Sequence, residues 1–222
     1  MNSQVRAVLF VNGPSFDLVP SIPDPADFLV AVDGGLRHLL RIGLLPYLLI
    51  GDMDSVAPAD LAICEEKHIE IMRFPPQKDQ TDLELALDEV LRRGYRNILI
   101  AYGMGGRLDH SLINMALLSR PDLANTNVYF DNGRSMVRLM TGPFKRDFHV
   151  DEGDLVSLMP WSGDVHGITT TNLLYPLNNE SLYSHRGQGL SNVASSADFS
   201  IEVEKGQLLV IRVRKAFVDS ED

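Results

Sequence analysis

Two carboxylates one residue apart, Asp52 and Asp54 in Gly51-Asp52-Met53-Asp54-Ser55, follow the apolar run Tyr47 to Ile50. From a tight loop both can converge on one hard cation, and magnesium prefers this kind of oxygen site. The other reading is a solvated acidic turn, but adjacent acids repel unless something positive sits between them. Behind Ile69 to Phe74 comes Pro75-Pro76-Gln77-Lys78-Asp79-Gln80-Thr81-Asp82. The prolines stiffen the approach and Lys78 sets a compact cation beside two acids, a mixture suited to a metal-bound phosphate. Read in isolation, Asp82 is equally an acid favourable to the dipole of a helix that starts there.

The run Ile98 to Tyr102 leads into Gly103-Met104-Gly105-Gly106-Arg107-Leu108-Asp109-His110. A glycine-rich loop entering a helix can cradle phosphate with the amides of Gly105 and Gly106, while Arg107 supplies a fork of donors. A flexible loop with an Asp cap is the alternative. Behind Phe28 to Val32, Asp33-Gly34-Gly35 lets backbone amides approach a ligand, and Asp33 could accept hydrogen bonds from a base, ribose or amine. Taken alone, such a triplet is more often a plain turn with Asp33 as cap. Together the four loops point to a magnesium–nucleotide site and to phosphoryl-group transfer, which needs positioning and charge neutralisation more than a covalent nucleophile. The P-loop, dinucleotide, protein-kinase and zincin signatures are all missing.

The elements that must hold these loops follow from the same runs. Ala7 to Val11, Phe28 to Val32, Tyr47 to Ile50, Ile69 to Phe74, Ile98 to Tyr102 and Val128 to Phe130 are nearly all apolar, as strands covered on both faces should be. Helical patterns alternate with them at Leu36 to Ile42, Ala59 to Lys67, Leu83 to Arg93 and Leu108 to Ser119, with Gly43 and Gly94 as stops. The third has a capping box in Thr81 and Glu84, an apolar stripe through Leu83, Leu87 and Val90, and the pairs Asp88/Arg92 and Glu89/Arg93. The expected fold is therefore an α/β domain with a mostly parallel, Rossmann-like sheet. Ligands of such sheets lie beyond the carboxyl ends of the strands, where the four motifs stand. After about Thr141 the helical period gives way to β signals, and Ser200 to Lys215 reads as a hairpin turning at Lys205-Gly206. The expected domains are 1–141, α/β, and 142–222, all β.

With 20 basic and 30 acidic residues the formal charge is −10, which repels phosphate backbones and anionic lipid, so no nucleic acid partner is expected. The single Cys64 cannot form an internal disulfide, which suits a reducing, cytoplasmic location. The opening MNSQVRAVLFVNGPSF has only five apolar residues in a row and Pro46 interrupts GLLPYLLIG, so neither an export signal nor a membrane span is expected.

In order, DGG at Asp33, GDMDS at Gly51, KDQTD at Lys78, GGRLDH at Gly105, TTTNLLYPL at Thr169 and Ser191-Asn192 resemble the thiamine pyrophosphokinase family over nearly the whole length. The resemblance implies a C-terminal β-sandwich, ATP as co-substrate, Mg²⁺ as cofactor, and transfer of the pyrophosphoryl group of ATP to the hydroxyl of thiamine. It also implies a homodimer whose sites join the catalytic domain of one subunit to the β domain of the other. By motif, Asp52, Asp54 and Asp82 would hold Mg²⁺. Lys78, Arg107, Gly105 and Gly106 would hold the polyphosphate, and Asp33, Gly34, Gly35, Ser55, Asp79, Thr81, Asp109 and His110 would complete the ATP and catalytic site. Asp82 or Asp79 would take the hydroxyl proton. Tyr175 would stack on thiamine, with Ser191 and Asn192 as hydrogen-bond partners. Asn172, Leu174 and Val193 depart from the family's usual residues beside these motifs.

Two other readings compete. Asp52-Met53-Asp54-Ser55-Val56 fits the D-x-D-x-[TV] pattern of haloacid-dehalogenase-type phosphatases, with Asp52 as nucleophile. The other is a catalytically idle nucleotide-binding module.

Overall fold

The computed structural model describes residues 5–14 and 23–217. Of the opening stretch weighed above, Met1 to Gln4 and Ser15 to Phe16 lie outside the described residues. The chain divides into two compact units, Met1–Gly133 and Arg134–Asp222.

The first unit carries strands β1 (Ala7–Phe10), β2 (Phe28–Val32), β3 (Leu48–Gly51), β4 (Glu70–Arg73), β5 (Asn97–Ala101) and β6 (Asn127–Asp131). All pair in parallel, in the order β4-β3-β2-β1-β5-β6. Helices α1 (Leu36–Arg41), α2 (Pro58–Glu66), α3 (Asp82–Arg92) and α4 (Leu108–Leu117) make the crossovers. Every residue of β1 and β3 is buried, which is why these strands are continuously apolar instead of alternating. The edge strand β4 is exposed at both ends, at Glu70 and Arg73. The chain builds outward from β1 to β4 and then returns to place β5 on the other side of β1. That reversal opens a crevice beyond the carboxyl ends of β1 and β5.

Helix α3 starts as its sequence predicts. Thr81 Oγ1 accepts from the Glu84 N–H at 3.2 Å, and the Glu84 carboxylate accepts from the Thr81 N–H at 2.8 Å. The box fixes the first turn and with it Asp82. Of the two expected charge pairs, Glu89/Arg93 forms at 2.6 Å, with Arg92 also on Glu89 at 2.6 Å, whereas Asp88 reaches Arg120 at 2.5 Å and Gln80 at 2.8 Å in place of Arg92. Glu89 is buried, so two guanidinium partners offset its desolvation.

The second unit comprises β7 (Ser135–Thr141), β8 (Phe144–His149), β9 (Leu155–Thr171), β10 (Glu180–Leu182), β11 (Asn192–Val193), β12 (Asp198–Val203) and β13 (Lys205–Val213). All its ladders are antiparallel. The hairpin expected over Ser200 to Lys215 does not form. Only Glu204 separates β12 from β13, yet the two strands pair with opposite ends of β9: β13 with its Leu155–Trp161 end, β12 with Thr169–Thr171. The 17-residue β9 is long enough to serve two ladders, β7-β13-β9 and β9-β12-β8. Leu208 and Val210 from one ladder and Phe199, Ile201 and Val203 from the other share one apolar core with Val156, Leu158 and Ile168. Burial along β13 does not alternate: Leu208, Leu209 and Val210 are all buried, and Ile211, Arg212 and Val213 are all half-buried. Ser135–Thr141 pairs with β13 along its whole length, so this segment lies with the second unit.

No helix among the described residues is long and apolar enough to cross a membrane. Replacing Thr81 by Ala is expected to lower the unfolding free energy by ~1 kcal/mol in urea titrations, because it removes the cap of α3 without touching its buried face.

Candidate active site

A cleft of about 600 Å³ opens at the carboxyl ends of the strands in the first unit. It is lined by segments following β1, β2, β3, β4 and β5, among them Asn12, Asp33, Asp52, Lys78, Asp82 and Gly106. Directly behind β2, Asp33 is buried with φ 48°, a left-handed conformation that an aspartate tolerates better than most residues. Gly34 and Gly35 lie in the same turn but outside the cleft lining. A Cβ on Gly35 would fall 1.8 Å from the Phe10 carbonyl, and one on Gly34 would fall 2.6 Å from the Asn12 side chain. The glycines are thus needed for close packing of the turn against β1 and its loop.

Behind β3, Met53 takes φ 69°. The turn brings the Asp54 N–H 3.1 Å from Asp52 Oδ1, and chiefly this bond lowers the Asp52 pKa, aided by Lys78 and opposed by burial. One carboxylate oxygen each from Asp33, Asp52 and Asp82 lies within 4.8 Å of the others. Burial pushes the Asp82 pKa up, with Asp52 and Asp33 adding to the rise and Lys78 opposing it. Lys78 Nζ stands 3.1 Å from Asp82 Oδ1 and 3.5 Å from Asp52 Oδ2, and donates to the Pro75 carbonyl at 3.2 Å. Burial alone would lower the Lys78 pKa, but its two acids outweigh that and raise it.

The cluster fits a hard divalent cation. Its donors are carboxylate oxygens, and Asp33 Oδ1 is buried without a hydrogen-bond partner. Asp54 and Ser55 line the same cleft, but the Asp54 carboxylate accepts from Ser55 Oγ at 2.9 Å and lies outside the three-acid cluster. Asp79 is outside the cleft lining, whereas Thr81 is within it.

Behind β5, Gly105 and Gly106 have φ 99° and 70°, successive left-handed positions that side chains other than glycine rarely adopt. Ser111 and Asn114 of α4 anchor this loop: Gly105 N–H donates to Ser111 Oγ at 3.0 Å, and Asn114 Nδ2 donates to the Gly103 carbonyl at 2.8 Å. Arg107 and His110 line the cleft, while Asp109 does not; Asp109 accepts from Arg107 at 2.5 Å and from the His110 N–H at 3.0 Å.

Asn12, Gly13, Tyr102 and Asn114 also line the cleft and were not singled out from sequence. The rule that drew attention to the ends of β2 to β5 applies equally to β1, and would have found Asn12-Gly13. That loop is held from α1, where Arg37 and the buried His38 both donate to the Gly13 carbonyl, at 2.9 and 3.0 Å. The His38 ring also stacks on Tyr102, with centroids 4.1 Å apart.

In the second unit Tyr175 is 66% exposed. Its peptide is clamped by buried Asn192, whose Oδ1 accepts from the Tyr175 N–H at 3.0 Å and whose Nδ2 donates to the Tyr175 carbonyl at 2.7 Å. The Asn192 amide is therefore largely engaged in placing Tyr175. Ser191 takes φ 54° and donates its N–H to Ser157 Oγ at 3.0 Å. Leu174 and Leu190 are exposed like Tyr175.

Residues 19–130 match the family model "Thiamin pyrophosphokinase, catalytic domain", and residues 144–208 match "Thiamin pyrophosphokinase, vitamin B1 binding domain". The chain belongs to the thiamin pyrophosphokinase family. It is 30% identical to the thiamine pyrophosphokinase of Bacillus subtilis (strain 168), an alignment covering 94% of this chain and 99% of that protein. The crystal structure of thiamine pyrophosphokinase from Bacillus subtilis superposes with a TM-score of 0.85, covering 94% and 99% of the two chains at 29% identity. That from Geobacillus thermodenitrificans gives 0.80 at 26% identity, covering 96% and 99%. The family's catalytic-domain match spans the acidic cluster, Lys78 and the double glycine, and its vitamin B1 binding match spans Tyr175, Ser191 and Asn192. Neither the phosphatase reading nor the idle-module reading is supported: both domains of one enzyme family are present, and Asp52 follows the third strand of the sheet, not the first.

Burial, with Arg37 nearby, lowers the His38 pKa from 6.5 to about 4. Between these values the unfolded chain takes up a proton that the folded chain excludes. Stability contributed by neutral His38 is therefore full above pH 6.5 and declines as the pH falls toward 4, by up to about 3 kcal/mol. His38→Gln is expected to flatten the fall in unfolding free energy over this window, read from urea titrations of both proteins at several pH values.

Proposed function

We propose that the protein transfers the terminal pyrophosphoryl group of ATP to the hydroxyl of thiamine, giving thiamine diphosphate and AMP. What carries the reading is the convergence on one cleft of three carboxylates, Lys78 and the left-handed pair Gly105-Gly106, in a chain that matches both domains of the family. The hydroxyl oxygen attacks the β-phosphorus, the bond from that phosphorus to the oxygen bridging to the α-phosphorus breaks, and AMP leaves. Such transfers depend on placement and on neutralising charge. Mg²⁺, when bound, supplies that neutralisation. Asp52 and Asp82 would hold it, with Asp33 or Asp54 adding a third oxygen. Lys78 and Arg107 bind polyphosphate oxygens. Of the two acids considered as acceptor of the hydroxyl proton, Asp82 lines the cleft and Asp79 does not.

Tyr175 presents its ring to the thiamine pyrimidine, positioned by Asn192. We place the working site between the catalytic unit of one subunit and the β unit of its partner in a homodimer. The exposed apolar residues Leu108, Leu112 and Ile113 on α4, and Leu174, Tyr175 and Leu190 on the β unit, support such an association. A cytoplasmic location suits the single, buried thiol of Cys64.

Incubation with ATP, Mg²⁺ and thiamine is expected to yield AMP and thiamine diphosphate in equal amounts, with no AMP when thiamine is left out or the metal is chelated. AMP that forms at the same rate without thiamine would sink the proposal. Asp52→Asn is expected to reduce turnover at least ~100-fold with the fold intact by circular dichroism. Of Asp33→Asn and Asp54→Asn, the one that raises the Mg²⁺ concentration for half-activation ~10-fold or more marks the third ligand.

Mixing also tests the shared site. Asp52→Asn and Tyr175→Ala chains, each nearly inactive alone, are expected to regain activity when unfolded together and refolded, because the mixed dimer contains one site with both residues intact. No recovery, with mixed dimers demonstrated, would place each site within one chain.

A further inference from the structure

The group nearest the acidic cluster is not one that would remain there with a divalent cation. Lys78 Nζ lies 3.1 Å from Asp82 Oδ1 and 3.5 Å from Asp52 Oδ2, and both acids share with Asp33 a space in which one oxygen from each lies within 4.8 Å of the others. The lysine side chain is 14% exposed, so it is enclosed with the acids and not swung into solvent. A cation held among these oxygens would stand beside the ammonium, two like charges competing for the same carboxylates. The contact with Asp82 is also shared. The ammonium divides itself between Asp82 Oδ1 at 3.1 Å, Asp52 Oδ2 at 3.5 Å and the Pro75 carbonyl at 3.2 Å. The ammonium thus neutralises the acids as a charge at the end of a long flexible stem.

We infer that Lys78 is a built-in substitute for the divalent cation, which it must vacate before the metal can enter. It also orders the loading of the site. Without nucleotide, only the fraction of molecules with the lysine displaced offers a full carboxylate site, and the apparent metal affinity is reduced by that fraction. A polyphosphate gives the displaced ammonium a new partner in the same cleft, so nucleotide and metal enter together. The lysine also keeps three converging carboxylates from repelling one another in the unloaded protein. This inference rests on the proposed cation site, but it concerns what holds that site before loading.

The test is titration of the full-length protein with Mn²⁺ alone, without nucleotide, by calorimetry or by the electron paramagnetic resonance of free Mn²⁺. Lys78→Met keeps the stem and removes the charge, and is expected to tighten the Mn²⁺ Kd about tenfold or more relative to the unmodified protein. Arg107→Met is the control for the general field of the cleft. Arg107 also lines it but pairs with Asp109, and its loss is expected to change the Kd less than about twofold. Equal tightening in the two variants, or none in Lys78→Met, overturns the displacement. If no protein binds Mn²⁺, the cation site falls, and this inference with it. A second readout is independent of variants: Mn²⁺ or Mg²⁺ alone is expected to accelerate acetylation of Lys78 severalfold, followed by mass spectrometry of the digested chain. An unchanged or slower rate, with metal binding shown, also overturns the displacement.

Discussion

Three carboxylates held within 4.8 Å of one another repel, and the first unit is organised around keeping them there. Each is supplied by a different crossover of the sheet. Asp33 follows β2, Asp52 follows β3, and Asp82 opens α3 after β4. None can retreat without distorting a strand end or a helix cap. The buried parallel strands are stiff, the capping box fixes the first turn of α3, and the turns at Asp33 and Met53 hold left-handed conformations. Strained backbone of this kind persists only where the surrounding structure over-determines it. Here the surroundings are close: Phe10 and Asn12 leave no room for a side chain at Gly35 or Gly34.

Most of this unit was legible in the amino-acid order, because its determinants are local. Continuous apolar runs ending in polar motifs give buried parallel strands with ligands at their carboxyl ends, and the capping residues of α3 act within one turn. What could not be read was which acids meet. The D-x-D spacing makes Asp52 and Asp54 look like natural partners, yet the loop turns Asp54 toward Ser55, while Asp33, nineteen residues earlier, arrives across the β2-β3 pair. Strand order decides this, and strand order is a long-range property.

The β unit shows the same limit in another form. Alternating residues in β12 announce a strand with one buried face, but that pattern is silent about the neighbour. The two-residue turn read at Lys205-Gly206 would ordinarily favour a hairpin. The long β9 instead accepts both strands at different places, with a register shift between Lys205 and Gln207. Partner choice here belongs to the shared core, where Phe199 and Ile201 face the same apolar interior as Leu208 and Val210.

The two units also treat their functional side chains differently. In the catalytic unit the acids and Lys78 are enclosed, so their charges interact strongly and respond to one another. Tyr175 is exposed, and only its backbone is fixed, through the Asn192 amide. A ring presented this way can bind a flat ligand by stacking without prior desolvation of charge, and its position depends on a buried amide that need not touch the ligand. Changes around Leu174 and Asn192 therefore reposition the Tyr175 ring without touching the acids, Lys78 or the double glycine.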